Sequence, residues 1–278
     1  MRNAYMIMAH HNMDQLGLLL RLLDHDDNDL YVHVDSKAGT IDYDTLRLCV
    51  KKSGLFFLPR MSVAWGGDSM IWCEMELLKS ALSSSHDYYH LISGDDLPIK
   101  TNEQIASFLE GSPGVNYVGI SLRGYADELP DDLMRRFRYR WPFQDKAGRR
   151  RSLFAKAWIA VQKLCGVNRV SGFTGEFAKG PNWFTITEDF ARYVVERETW
   201  VRETFSDTLC CDEVFLQTLY VNSPFGRSVA PQCDDNAMAL RLIDWGRGGA
   251  QSPYTFTIDD YPETNNPPVC SLANSTRA

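Results

Sequence analysis

No stretch of this 278-residue chain stays apolar long enough to cross a bilayer, which takes about 20 consecutive residues. The opening residues, MRNAYMIMAHHN, lack a long apolar segment ahead of a small-residue cleavage site. They read as a first strand, not a leader, and a cytoplasmic protein is the expectation. Cysteine is sparse and odd in number: seven residues, at 49, 73, 165, 210, 211, 233 and 270, without framework spacing. That excludes a disulfide scaffold and fits free thiols in a reducing compartment. H-E-x-x-H and paired C-x-x-C are absent, as are G-x-x-x-x-G-K-[ST] and G-x-G-x-x-G, so the common zinc and phosphate-cradling motifs are missing. Positive charge is in deficit, 29 Lys and Arg against 36 Asp and Glu, net −7. Wholesale nucleic-acid binding is thereby disfavoured.

What is there alternates between strand and helix. AYMIMAH, DLYVHVDSK, LFFLP and YYHLIS are apolar runs of strand length. Between them lie MDQLGLLLRLLDH, DTLRLCVKK and DSMIWCEMELLKSALSS, whose apolar residues recur with helical spacing. NEQIASFLEG follows as another helix. The order predicts an α/β protein with a mainly parallel central sheet and helices on both faces. NWFTITEDFARYVVER reads as a strand entering a helix with Thr187 as N-cap. DEVFLQTLYVNSPF reads as a further helix and LRLIDWG as a late strand. Residues 1–261 are read as one domain. Within it, about 123–169 form a basic insertion with twelve Lys and Arg against five acids. The insertion has two readings: a solvated mobile segment, or a basic rim facing a negatively charged substrate or an anionic membrane surface. Residues 262–278, rich in Pro, Asn and Ser, are read as an irregular tail.

In such sheets ligands sit beyond the carboxyl ends of the strands. Asp35 falls at one such end, and Asp95 and Asp96 in YYHLISGDDLPIKTNEQI at another. The acid pair has three readings: a metal site, a sugar site or a turn cap. Asp27-Asn28-Asp29 has a D-x-D form but lies at the opposite end of the sheet, and a solvated turn is expected. His86 and His90 are read as core or surface residues, and Cys210-Cys211 as packing. Asp212 and Glu213 open a predicted helix, where an acid often only complements the dipole. Trp65, Trp183, Trp245 and Tyr254 offer aromatic faces of the kind that suit pyranose rings. Trp72 and Trp158 sit in helical patterns and are read as core. The GRGG run at 246–249, with Arg247, can bring backbone N–H groups and a guanidinium to an anion.

Taken in order, AYMIMAHHN, YVHVDSKA, SVAWGGDSMIWCEMELLKSAL, the SGDDLPIKTN stretch, KGPNWFTITEDFARYVV, DEVFLQTLYVNSPF and ALRLIDW resemble the core-2/I-branching enzyme family of glycosyltransferases, in a bacterial-type form. That family also contains the peptide O-xylosyltransferases. The resemblance implies a GT-A-like fold and inverting transfer of GlcNAc or xylose from a UDP-sugar to a hydroxyl on a glycan or similar acceptor, with no metal or other cofactor. It implies that His10, Asp35, Asp95, Asp96, Arg241 and Arg247 serve the donor and its nucleotide. Arg138, Trp183 and Trp245 would serve the acceptor, and Glu213 would be the general base. At Asn182 the xylosyl branch carries an acid. Family members also continue into a basic F-A-R-K-F-like stretch that is expected to be missing here, so that either Arg241, Arg247 or Lys179 replaces it or the 262–278 tail is truncated relative to the family, with impaired donor binding. Two alternatives stand beside this reading. One is an inactive sugar- or nucleotide-binding relative; the other is a Mn²⁺-dependent transferase using Asp95 and Asp96.

Overall fold

The computed structural model describes residues 1–142, 149–228, 234–249, 253–260 and 272–274. In chain order the first elements are β1 (Asn3–Ala9), α1 (Met13–Leu23), β2 (Asn28–Val34), α2 (Tyr43–Arg47), β3 (Gly54–Phe57), α3 (Ser69–Ala81) and β4 (Tyr88–Ser93). After them come β5 (Asp96–Pro98), α4 (Asn102–Glu110), β6 (Tyr117–Val118), β7 (Leu122–Gly124), α5 (Asp131–Arg138) and α6 (Arg149–Leu164). The chain continues through β8 (Phe177–Lys179), β9 (Phe184–Thr187), α7 (Glu188–Glu196), α8 (Glu198–Phe205) and α9 (Phe215–Val221). It ends with α10 (Asp235–Met238), β10 (Arg241–Leu242) and β11 (Leu272–Asn274). The central sheet has the order β3-β2-β1-β4-β9-β6. Strands β3, β2, β1 and β4 run parallel, and β9 joins β4 antiparallel with Leu91 opposite Phe184. This is the expected α/β architecture.

Strand β1 shows why the sheet is covered twice. Ala4 and Met6 point into one core with Ile71, Leu78, Ile186 and Phe190. Tyr5 and Ile7 point into the other with Leu16, Leu19, Leu20 and Leu23 of α1. Period-two alternation thus feeds two apolar layers, one under α3 and α7 and one under α1. Helix starts are set locally. Thr187 caps α7 by accepting from Phe190 N, as expected, and Thr101 and Gln104 form a reciprocal capping box on α4. Among the described residues, no helix is long and apolar enough to cross a membrane.

Several sequence expectations need correcting. Asn28 and Asp29 are not a solvated turn: they open β2, and Asp29 accepts from Arg2 Nη2 at 2.7 Å, from Gly54 N at 3.1 Å and lies 2.8 Å from His86 Nε2. The described part of the 123–169 stretch is mainly helical where the sequence suggests a solvated segment. It holds α5, which sends Leu133, Met134 and Phe137 into the core, and α6; residues 143–148 lie outside the described residues. Trp158 is 47% exposed, not core. In the 262–278 stretch, residues 272–274 form β11 between β10 and β5, and the rest lies outside the described residues. Trp72 does pack on the core, with Arg202 Cζ 4.2 Å above its ring.

Candidate active site at the carboxyl edge of the sheet

The parallel strands β1, β2 and β4 release the chain at one edge, and the residues that follow them converge. Gly94 makes this possible: a Cβ there would press to 2.8 Å from Ala9 Cβ, so only glycine lets the turn after β4 close on β1. His10 and His11 follow β1 with their rings stacked at 4.0 Å. His11 Nδ1 lies 3.3 Å from Asp95 Oδ1. Burial, then the neighbouring His11, pushes the His10 pKa down, while burial raises that of Asp95. Asp35 is buried and accepts from Lys37 N at 2.8 Å and Val63 N at 3.3 Å, with Lys37 Nζ 3.4 Å away. One ligand atom each from His10, His11 and Asp95 lies within 4.8 Å of the others. Two nitrogens and an oxygen form a donor set that suits a borderline divalent cation.

Asp95 and Asp96 part company. Asp96 is buried and accepts from Ser93 N at 2.9 Å, closing the turn after β4. Burial raises its pKa to about 6, against the pull of Arg241. Arg241 is equally buried and donates to the carbonyls of Leu91, Ala239 and Leu240. Both residues brace β4 from within. His90, behind them, is neutral: burial and then Arg241 depress its pKa to about 3, and it lies 2.9 Å from Thr185 Oγ1.

Because β9 runs antiparallel to β4, Lys179 to Trp183 arrive at the same edge. Glu213 ends a short 3-10 turn, Cys211–Glu213, just before α9, not inside a helix as its sequence suggests. Gly180 N donates to Glu213 O at 2.9 Å. The Glu213 carboxylate is about one-third exposed (35%) and meets Arg136 Nη1 at 3.0 Å and Lys179 Nζ at 3.5 Å. Beneath it, burial and then Glu213 raise the Asp212 pKa to about 7. Burial and then Asp212 drive that of Glu74, on α3, well above the carboxylate range. Neither Glu74 oxygen nor Asp212 Oδ1 has a hydrogen-bond partner. The loop after β3 joins this turn to the strand-end cluster: Val63 N is bonded to Asp35, and Gly66 O accepts from Cys210 N at 2.9 Å.

The remaining sequence-predicted residues lie in other settings. Trp245 and Arg247 line a cavity of about 510 Å³ with Phe256 and Asp234. Arg247 is held by Asp244 at 2.5 Å and Asp260 at 2.9 Å, above the Tyr254 ring at 4.3 Å, so two acids already offset its charge. Arg138 pairs with Asp131, and Trp183 packs on the core at half burial. Sequence reasoning passed over His11, Lys37, Arg136 and Glu74, and read Asp212 only as a helix-opening acid. The His-His doublet was in view. So was Glu74, three residues after Ile71 and four before Leu78 on the apolar stripe of α3, where a carboxylate has no water.

A family model, described as Core-2/I-Branching enzyme, matches residues 3–265. Xylosyltransferase 2 of Rattus norvegicus is 27% identical over 268 residues, covering 93% of this chain and 28% of that protein. Xylosyltransferase 1 of Homo sapiens is 25% identical over 268 residues, covering 93% and 25%. The chain thus spans about a quarter of the length of the curated relatives it matches. The crystal structure of mouse xyloside xylosyltransferase 1, apo form, superposes with a TM-score of 0.40 at 10% identity, over 98% of this chain and 97% of that one. A superposition so loose says nothing further about this chain.

Proposed function

Because the chain belongs to the core-2/I-branching enzyme family, we propose that it transfers a sugar from a UDP-sugar to an acceptor hydroxyl, with inversion and without a divalent metal. Xylose or GlcNAc is the donor sugar, and the relatives' name favours xylose. A glycan, or a similar acceptor used on the cytoplasmic side to build a surface polysaccharide or lipid-linked glycan, supplies the hydroxyl. The strand-end cluster of His10, Asp35, Lys37 and Asp95 takes the donor, in the position where open α/β sheets bind ligands.

Glu213 is the base. As the acceptor oxygen attacks the anomeric carbon from the face opposite UDP, Glu213 takes the hydroxyl proton. The bond from the anomeric carbon to the diphosphate oxygen breaks, and UDP leaves with the electron pair. The supporting observation is a carboxylate at the sheet edge, one-third open to solvent, whose orientation two cations fix at 3.0 and 3.5 Å. That pairing holds the Glu213 carboxylate in place, and the acceptor hydroxyl must displace one of these contacts to reach it. The positive charge that meets the leaving diphosphate comes from the fixed cations of this edge, with Lys37 inside the donor cluster.

The test is UDP release from a donor panel in EDTA. Glu213→Gln should lower turnover by about 10²–10⁴-fold, the usual range for a general base. Unchanged turnover would remove Glu213 from that role, and calorimetric UDP binding without turnover on any acceptor would make the chain a binding protein. A second reading rests on the His10, His11 and Asp95 donor set. Turnover abolished by EDTA, restored by Mn²⁺ and lost in His11→Ala would establish a metal-dependent transferase instead, with Asp95 as ligand and Asp96 left to the turn.

A further inference from the structure

Helix α6 carries an apolar stripe that the protein leaves in water. Phe154 is 70% exposed, Trp158 47%, Val161 48% and Leu164 89%. Their spacing, i, i+4, i+7 and i+10, puts them on one face. A different face is seated: Ile159 is buried, and Gln162 exchanges two bonds with the Arg140 backbone at 2.8 and 2.9 Å. The helix therefore belongs to the folded body with its stripe turned outward. It also carries Arg149, Arg150, Arg151, Lys156 and Lys163 and no acid, while the other residues of a net −7 chain sum to −12.

We propose that α6 is a docking surface for an anionic lipid bilayer. The stripe enters the boundary between headgroups and acyl chains, and the exposed Lys156 and Lys163 meet the headgroup charge, as in interfacial amphipathic helices. A second copy fits poorly, since stripe-to-stripe pairing would bring two all-cationic helices together. Spanning is excluded by a length of 16 residues that includes five charges. Through the Gln162 bonds to Arg140, α6 is tied to the segment that follows α5, whose Arg136 holds Glu213.

Co-sedimentation of the full chain tests this, with vesicles of phosphatidylcholine alone or mixed in equal parts with phosphatidylglycerol. The protein should pellet with the mixed vesicles and stay in solution with the neutral ones. Trp158→Ser with Leu164→Ser should weaken the partition by about tenfold or more, since two apolar contacts are lost. Lys156→Glu with Lys163→Glu should weaken it as well, and most at low salt. All four positions are exposed, so unchanged thermal unfolding of the variants checks that the fold survives. No binding to mixed vesicles, or binding as strong as the parent's by both double variants, overturns the proposal. So does a concentration-dependent dimer that the Trp158→Ser and Leu164→Ser pair dissolves, because the occupant would then be a second copy.

Discussion

Glu74 leaves both carboxyl oxygens unbonded in a fully buried site, next to Asp212, which is nearly as buried. Two ionised carboxylates cannot share that space cheaply, so the folded protein holds protons there that the unfolded chain releases. For Asp212 the folded pKa of about 7 stands above an ordinary value of 3.8. A folded state that binds more protons loses stability as pH rises from the lower value through the higher. Asp212→Asn should therefore unfold at a higher temperature than the parent at pH 8, with the advantage gone near pH 4. Each pKa unit is worth about 1.4 kcal/mol, and each kcal/mol about 2–4 °C in a large domain. Melting curves at the two pH values decide it: an advantage equal at both, or confined to pH 4, would contradict the buried pair. At this scale the sequence was partly readable. Asp35 and Asp95 stand at strand ends, as the apolar runs before them indicate. The Arg136 contact with Glu213 spans 77 positions and has no local signature. Charge count alone also cannot show that Arg241 turns inward onto backbone carbonyls.

Strand β9 carries the main lesson at the level of elements. Its apolar residues and the Thr187 cap are legible in NWFTIT, but its antiparallel direction is not, because periodicity is the same either way. That direction brings Lys179 and Gly180 to the edge where Glu213 sits. Gly180 has no room for a side chain: a Cβ there would collide with the Gly119 carbonyl, two backbones crossing in contact. Gly180→Ala should push these strands apart, cost about 1–3 kcal/mol, and shift the carbonyl of Glu213 that Gly180 N holds. Urea unfolding together with UDP release checks this; normal stability with normal turnover would mean the crossing tolerates a methyl group. Helix α5 was hidden for a different reason. Its many arginines suggested solvent, while Leu133, Met134 and Phe137, spaced for one buried face, were the better guide.

For the molecule as a whole, the alternation of strands and helices was enough to predict a covered parallel sheet, since few other architectures satisfy that order. The relation between the strand-end cluster and the Glu213 turn was beyond its reach, because that is set by a loop with no periodicity. From Val63, tied to Asp35, to Gly66, tied to Cys210, a span of four residues bridges the two. It acts as a caliper: the gap between the strand-end cluster and the Glu213 turn is a matter of chain length, set by these four residues. Adding one glycine between Ala64 and Trp65 should leave melting nearly intact and UDP affinity measurable by calorimetry while transfer collapses. A lengthened loop that still turned over at the parental rate would mean the jaws are set elsewhere.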